Sequence, residues 1–249
     1  MSLQSRPPDK GGQCMSTIPR RERLIVALDV PAYDDARALV ERLGPAVSFY
    51  KVGLELATSG RYFDLIEWLV ASDKRVFADL KLFDIPETVA RAVANLRGRG
   101  ITFVTVHGNQ AMMQAAAKEK GELKILAVTA LTSLDRGDLD DLGFSCDVER
   151  LVLSRARRAI EAGCDGVISS GLEAQRLKSE FHDRLLVLTP GIRPVENRPA
   201  DDQKRTVDVA QAFANGADYI VVGRPIRQAA DARAAAEAIQ ATIATIFPA

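Results

Sequence analysis

"RVFADLKLFDIPETVARAVANLRGRG", residues 75–100, carries in one stretch the two periodicities that decide the fold. Arg75 to Lys81 is a short run rich in strand-forming residues. From Pro86 onward the apolar residues fall at helical spacing, with Pro86 suited to a first turn and Gly98 placed near the stop. Alternate side chains share one face of a strand, so Asp79 and Lys81 point one way and Leu80 and Leu82 the other. Asp84 follows shortly after, beside Phe83 and Ile85. Taken alone, such charges read most simply as a salt bridge on an exposed strand edge, and the rest of the chain decides whether that reading holds.

The strand-then-helix unit recurs. "LIVALD" (24–29) precedes "YDDARALVERLG", where Asp34 or Asp35 is expected to cap a helix that Gly44 ends. "VSFYKVG" (47–53) precedes "YFDLIEWLVAS"; "ITFVTVH" (101–107) precedes "NQAMMQAAAKEKG"; "LKILAVT" (123–129) is followed by a longer loop and then "DVERLVLSRARRAIEAG". "DGVIS" (165–169), "LLVLTP" (185–190) and "YIVVG" (219–223) each precede a further helical pattern. Near-continuous Val, Ile and Leu strands imply burial on both faces, and alternation with helices implies a parallel sheet. Eight such pairs within 249 residues predict an α/β chain folded as a single-domain (β/α)8 TIM barrel over residues 21–249. An open doubly wound sheet is the alternative, but no G-x-G-x-x-G follows the first strand.

Composition narrows the function. Thirty-three basic residues balance thirty-three acidic ones, which argues against nucleic acid or an anionic membrane as a partner and makes any anion site local. Cys14, Cys146 and Cys164 lack C-x-x-C spacing, and His107 and His182 are the only histidines, so zinc clusters and disulfide frameworks are disfavoured and a reducing cytoplasm fits. No apolar run approaches the roughly 18 residues of a membrane span. Residues 1–20, rich in Pro, Gly and Ser, read as a disordered tail within which Met15 is a candidate natural start.

In a barrel of this kind the chemistry sits where strands end and loops begin. Polar residues gather there: Asp29 after the first strand, Lys51 and then Glu55 at the second, Asp79 and Lys81 at the third, and His107 at the fourth. Thr132 and Ser133 follow the fifth strand, Arg193 the seventh and Arg224 the eighth. An edge salt bridge would need a coincidence at every rim. "TPGIRP" (189–194), with Pro190, and "VVGRPI" (221–226) occupy the two loops that often hold phosphate, their glycines allowing close main-chain approach and their arginines forked hydrogen bonds. Between them "RPVENRPADDQKRT" (193–206), which includes Gln203, has the composition of a closing lid, with a plain surface excursion as the equal alternative. His107 is expected to serve as a supporting hydrogen-bond partner.

A Schiff-base lysine requires desolvation or neighbouring cations, whereas carboxylates beside a lysine favour its ammonium form. Interleaved ammonium and carboxylate groups suit a reaction that creates a carbanion and then protonates it.

At this point the sequence resembles the orotidine 5′-monophosphate decarboxylase family. "ALDVP", "YKVGLE", "DLKLFDIPETV", "LTS", "PGIR" and "VVGRPI" occur in order, and the likeness runs from Arg23 to Phe247. The resemblance implies decarboxylation of orotidine 5′-monophosphate to UMP without metal or organic cofactor. It also implies that Lys51, Asp79, Lys81 and Asp84 form a charge network, with Asp84 arriving from the second subunit of a homodimer beside Ile85 and Thr88. Lys81 would protonate C6 and Asp79 would lie against the departing carboxylate. Asp29 and Lys51 would bind ribose, Thr132 and Ser133 the pyrimidine, and Pro190, Arg193, Gln203, Gly223 and Arg224 the phosphate end.

Three other readings remain. A magnesium-dependent sugar-phosphate decarboxylase of the same superfamily would carry an acidic ligand on the second strand, where Lys51 stands. A non-catalytic nucleotide-binding barrel would leave four charged groups buried without purpose. A Schiff-base aldolase would be revealed by borohydride trapping.

Overall fold

The computed structural model describes residues 18–193 and 206–248. Eight parallel strands close into a barrel in sequence order, each paired with its neighbours and the first with the eighth. They are β1 (Leu24–Ala27), β2 (Phe49–Gly53), β3 (Arg75–Leu82), β4 (Ile101–His107), β5 (Lys124–Val128), β6 (Gly166–Ile168), β7 (Leu186–Thr189) and β8 (Tyr219–Val222). The expected (β/α)8 barrel is therefore the observed fold.

Strand periodicity divides the core in two. One set of side chains, including Leu24, Val26, Tyr50, Val52, Val76 and Val104, packs outward against the helices. The other set, including Ile25, Ala27, Phe49, Phe77, Phe103, Leu126, Leu188, Tyr219 and Val221, fills the barrel interior. Burial on both faces is why these strands read as unbroken apolar runs. Phe103 lies between Phe49 (5.3 Å, stacked) and two edge-on rings, Phe77 (6.1 Å) and Tyr219 (5.3 Å), so aromatic rings close the lower half of the barrel. Below them Arg75 pairs with Glu22.

Several local expectations shift. The helix Tyr33–Leu43 begins a residue before Asp34, is preceded by Ala32 and has no side-chain cap. Asp34 and Asp35 instead occupy its first turn, where a negative charge meets the positive end of the helix dipole. Gly44 does end it, at φ 55°, a left-handed geometry that glycine adopts without a Cβ clash. The loop after β5 contains a short helix, Arg136–Asp141, opened by a reciprocal capping box between Asp135 and Asp138. Residues 18–20, expected in the tail, belong to the fold: Ile18 packs on the interior cluster and Arg20 opens a 3-10 turn. The rest of the predicted tail lies outside the described residues.

Candidate active site

Continuing each interior series upward leads from apolar to charged side chains. On β1 it runs Ile25, Ala27 and then Asp29; on β2, Phe49, Lys51 and Gly53; on β3, Phe77, Asp79 and then Lys81. The charged layer forms the floor of a cavity of about 390 Å³ at the C-terminal mouth of the barrel. Lys51 stands inside β2 rather than at its end, and Gly53 is the terminal residue. The Lys51 Nζ donates to Asp29 Oδ1 at 2.9 Å and lies 3.4 Å from Asp79 Oδ2. Lys81 Nζ donates to that same Asp79 oxygen at 2.8 Å. One carboxylate thus bridges two ammonium groups.

Burial raises the cost of every charge in this layer, and pairing offsets it. For Asp79, burial disfavours the carboxylate, but Lys51, Lys81 and a hydrogen bond from Thr105 outweigh it and hold the acid below its ordinary range. For Lys51, burial disfavours the ammonium, yet Asp79 and Asp29 reverse the balance and its pKa lies above the ordinary lysine value. Both groups are ionised at neutral pH.

β3 does not stay regular through the site. Its register against β4 shifts between Ala78 and Leu82, and Lys81 takes φ 47°. A left-handed non-glycine residue is strained, typically by about 1–3 kcal/mol, and persists where neighbours over-determine it. The neighbour here is Thr105 of β4. Its fully buried hydroxyl accepts from the Lys81 backbone N–H at 2.9 Å and donates to Asp79 Oδ1 at 2.9 Å. Thr105 escaped the sequence reading because threonine in "ITFVTVH" looks like ordinary strand composition; its one signal is a hydroxyl set among wholly apolar neighbours.

Gly53 gives the layer room. A Cβ there would stand 3.2 Å from the Lys51 Nζ, closer than side chains normally tolerate. His107 ends β4 as expected, but its ring packs at a tilt against Phe83, with ring centres 4.8 Å apart, and no hydrogen bond to its ring occurs among the described residues. Burial first, then Arg155 and Lys81, keep its pKa below the ordinary histidine value.

The upper wall is built by the later strands. Thr132, Pro190, Gly191, Arg193, Gly223 and Arg224 all face the cavity. Arg193 is buried, and its N–H donates to the Val207 carbonyl at 2.9 Å, drawing the loop after β7 back onto the chain beyond it. Gly191 sits at φ 79°. Ser133 is exposed and Asp84, Ile85 and Thr88 lie beyond the cavity wall; Asp84 Oδ1 accepts from the Ile85 N–H at 2.7 Å. Gln203 lies outside the described residues. Arg227, which the sequence reading passed over, also lines the cavity. Among the described residues no group of three or more His, Cys, Asp or Glu could hold a metal ion, and no helix is long and apolar enough to cross a membrane.

A barrel with a charged floor and a glycine- and arginine-lined rim defines a class: a (β/α)8 protein equipped for a small, anionic ligand. The model of the orotidine 5′-phosphate decarboxylase / HUMPS family matches residues 22–239, and the chain belongs to that family. It is 66% identical over 232 residues to orotidine 5′-phosphate decarboxylase of Methylococcus capsulatus, covering 93% of this chain and 96% of the relative. The corresponding protein of Xanthomonas euvesicatoria is 52% identical over 229 residues, covering 91% and 94%. Among solved structures, orotidine 5′-phosphate decarboxylase from Lactobacillus acidophilus superposes with a TM-score of 0.79 at 36% identity, over 89% of this chain and 99% of that one. An uncharacterized conserved protein from Geobacillus kaustophilus gives 0.75 at 32% identity, over 88% and 99%.

Proposed function

We propose that this chain decarboxylates orotidine 5′-monophosphate to UMP and carbon dioxide in pyrimidine biosynthesis, using side chains alone. The observation that carries the reading is the Asp29–Lys51–Asp79–Lys81 array on the cavity floor. Family membership and the named relatives support the substrate.

The phosphate lies at the rim, against Arg193, Arg224 and the main chain around Pro190 and Gly223, with Gln203 as a further contact. Asp29 and Lys51 bind the ribose hydroxyls, and Thr132 and Ser133 meet the pyrimidine. The substrate carboxylate is directed toward Asp79. The C6–carboxylate bond breaks, its electron pair stays on C6, and carbon dioxide leaves uncharged. A proton passes from the Lys81 ammonium to C6, and the resulting amine recovers a proton from solvent. Preorganised charge is the main source of acceleration, because the cation already stands where negative charge develops and need not reorganise. The sugar-phosphate alternative is disfavoured by Lys51, whose ammonium occupies the space between the two carboxylates a divalent ion would use.

The reading includes a homodimer in which Asp84 enters the partner's site together with Ile85 and Thr88. Phe83 and Ile85, which flank Asp84, are 62% and 65% exposed in the single chain, an arrangement that favours cover by a second copy. It also includes a cytoplasmic location, with which the free thiols Cys146 and Cys164 accord.

The test is ultraviolet detection of orotidine 5′-monophosphate loss by purified protein in excess EDTA. Turnover is expected for the natural chain and none for Lys81→Ala. Folded protein without turnover overturns the assignment. Mixing inactive Lys81→Ala and Asp84→Ala proteins tests the shared site, since a mixed dimer has one intact constellation; failure to regain activity after subunit exchange removes the cross-subunit role.

A further inference from the structure

Arg227 closes the helix Arg224–Arg227 that follows β8. Residues three apart on a helix share a face, so Arg224 and Arg227 are presented together, and both line the cavity. Ile226 between them is fully buried and fixes the turn beneath them. The Arg227 Nε is buried and has no hydrogen-bond partner, and among the described residues no carboxylate pairs with this side chain. Lys51 and Lys81 differ, because both are already committed to Asp29 and Asp79. A guanidinium without a carboxylate partner on the wall of a cavity keeps its charge available to an anionic ligand.

The charge balance of the wall points the same way. Five cationic side chains, Lys51, Lys81, Arg193, Arg224 and Arg227, face three carboxylates, Asp29, Glu55 and Asp79, an excess of two positive charges. A phosphomonoester carries up to about two negative charges at neutral pH. Without Arg227 the excess would be one, and such an ester would be incompletely neutralised.

We propose that Arg227 is a further phosphate-binding residue, presenting a third guanidinium to the dianionic end of the nucleotide. The inference rests on the reading above that the ligand's phosphate sits at this rim. Arg227 contributes to anchoring and takes no part in the proton transfer at Lys81.

The experiment is calorimetric titration of the natural chain, Arg227→Gln and Arg227→Lys with UMP, alongside uridine measured by ligand-observed NMR. Arg227→Gln is expected to weaken UMP by about tenfold, about 1.4 kcal/mol, while uridine affinity stays within about twofold and Arg227→Lys recovers most of the loss. Unchanged UMP affinity in Arg227→Gln overturns the inference. So does an equal loss toward uridine, which would mark Arg227 as merely structural. Should Arg227→Gln not fold, Arg227→Met, which also removes the charge while keeping an unbranched side chain, reads the same contact, and undiminished UMP affinity in that variant overturns the inference. If the natural chain itself neither binds UMP nor decarboxylates orotidine 5′-monophosphate, the reading of the whole site fails; turnover by the natural chain with no effect of Arg227→Gln removes only this residue.

Discussion

Gly53→Ala isolates the charged floor from the fold. Gly53 has φ −106° and ψ −163°, extended backbone open to any residue, so the substitution introduces no backbone strain. Removing a glycine also restricts the unfolded chain, which favours the fold by about 0.4–1 kcal/mol. The added methyl meets ordinary spacing at Asp29 Oδ1 (3.7 Å) and at the Asp79 carbonyl (3.9 Å), but stands 3.2 Å from the Lys51 Nζ. That ammonium must retreat by a few tenths of an ångström, and it is held by a 2.9 Å bond to Asp29 and a 3.4 Å contact to Asp79. A hydrogen bond to a charged group contributes about 1.5–3 kcal/mol, so partial loss of its geometry amounts to about 1 kcal/mol. At about 1.36 kcal/mol per decade of rate, kcat/KM should fall about fivefold. The assay is spectrophotometric turnover of orotidine 5′-monophosphate, paired with thermal unfolding followed by circular dichroism. An unchanged melting temperature with kcat/KM within about twofold of the natural protein would refute the argument that Lys51 is rigidly clamped and that its position matters.

Thr105→Val keeps the shape of a buried strand residue while removing the acceptor for the Lys81 N–H and the donor to Asp79. Destabilisation of about 2 kcal/mol is expected in urea unfolding, together with reduced turnover; equal stability would show that the hydroxyl is dispensable. His107 titrates below its ordinary value of 6.5 when folded, so well above 6.5 it is neutral in both states and has no effect on stability. As pH falls through 6.5 the unfolded chain takes up a proton that the folded one resists, and stability is lost until the folded value is reached. His107→Phe, which retains a ring against Phe83, should flatten the decline in denaturation midpoint between about pH 7 and 5; an identical decline would assign it elsewhere. Burial, with Asp165 adding and Lys120 opposing, pushes the Cys164 thiol up to about 12. Peptide-level mass spectrometry after iodoacetamide treatment should find Cys164 unmodified in native protein and modified in denaturant, whereas early native labelling would contradict its burial.

The barrel was legible because its strands alternate against two apolar environments and its helices bury one face, so both periods survive in the sequence. Asp29, Lys51, Asp79 and Lys81 were legible for a related reason: each prolongs an interior series that begins with residues such as Ile25, Phe49 and Phe77. The bulge at Lys81 was not, since a register shift depends on what β4 offers and not on local propensity. Thr105 was hidden by being a good strand former, and Arg227 by sitting at the end of a four-residue helix before an Ala-rich one. Asp34 misled the helix start because an acid within the first turn leaves the same compositional trace as a cap. The roles proposed for Asp84, Ile85 and Thr88 would involve a second copy, which no single-chain pattern contains.

The packed rings of Phe49, Phe77, Phe103 and Tyr219 form the base of a vessel whose mouth is the cavity. All four are at most 4% exposed, a layer of packed side chains beneath the charged floor. On the proposed reaction, carbon dioxide released at the charged floor would depart by the doorway through which the nucleotide comes in. Traffic in both directions would then share one threshold, and its width would govern how soon the vessel is emptied for the next molecule.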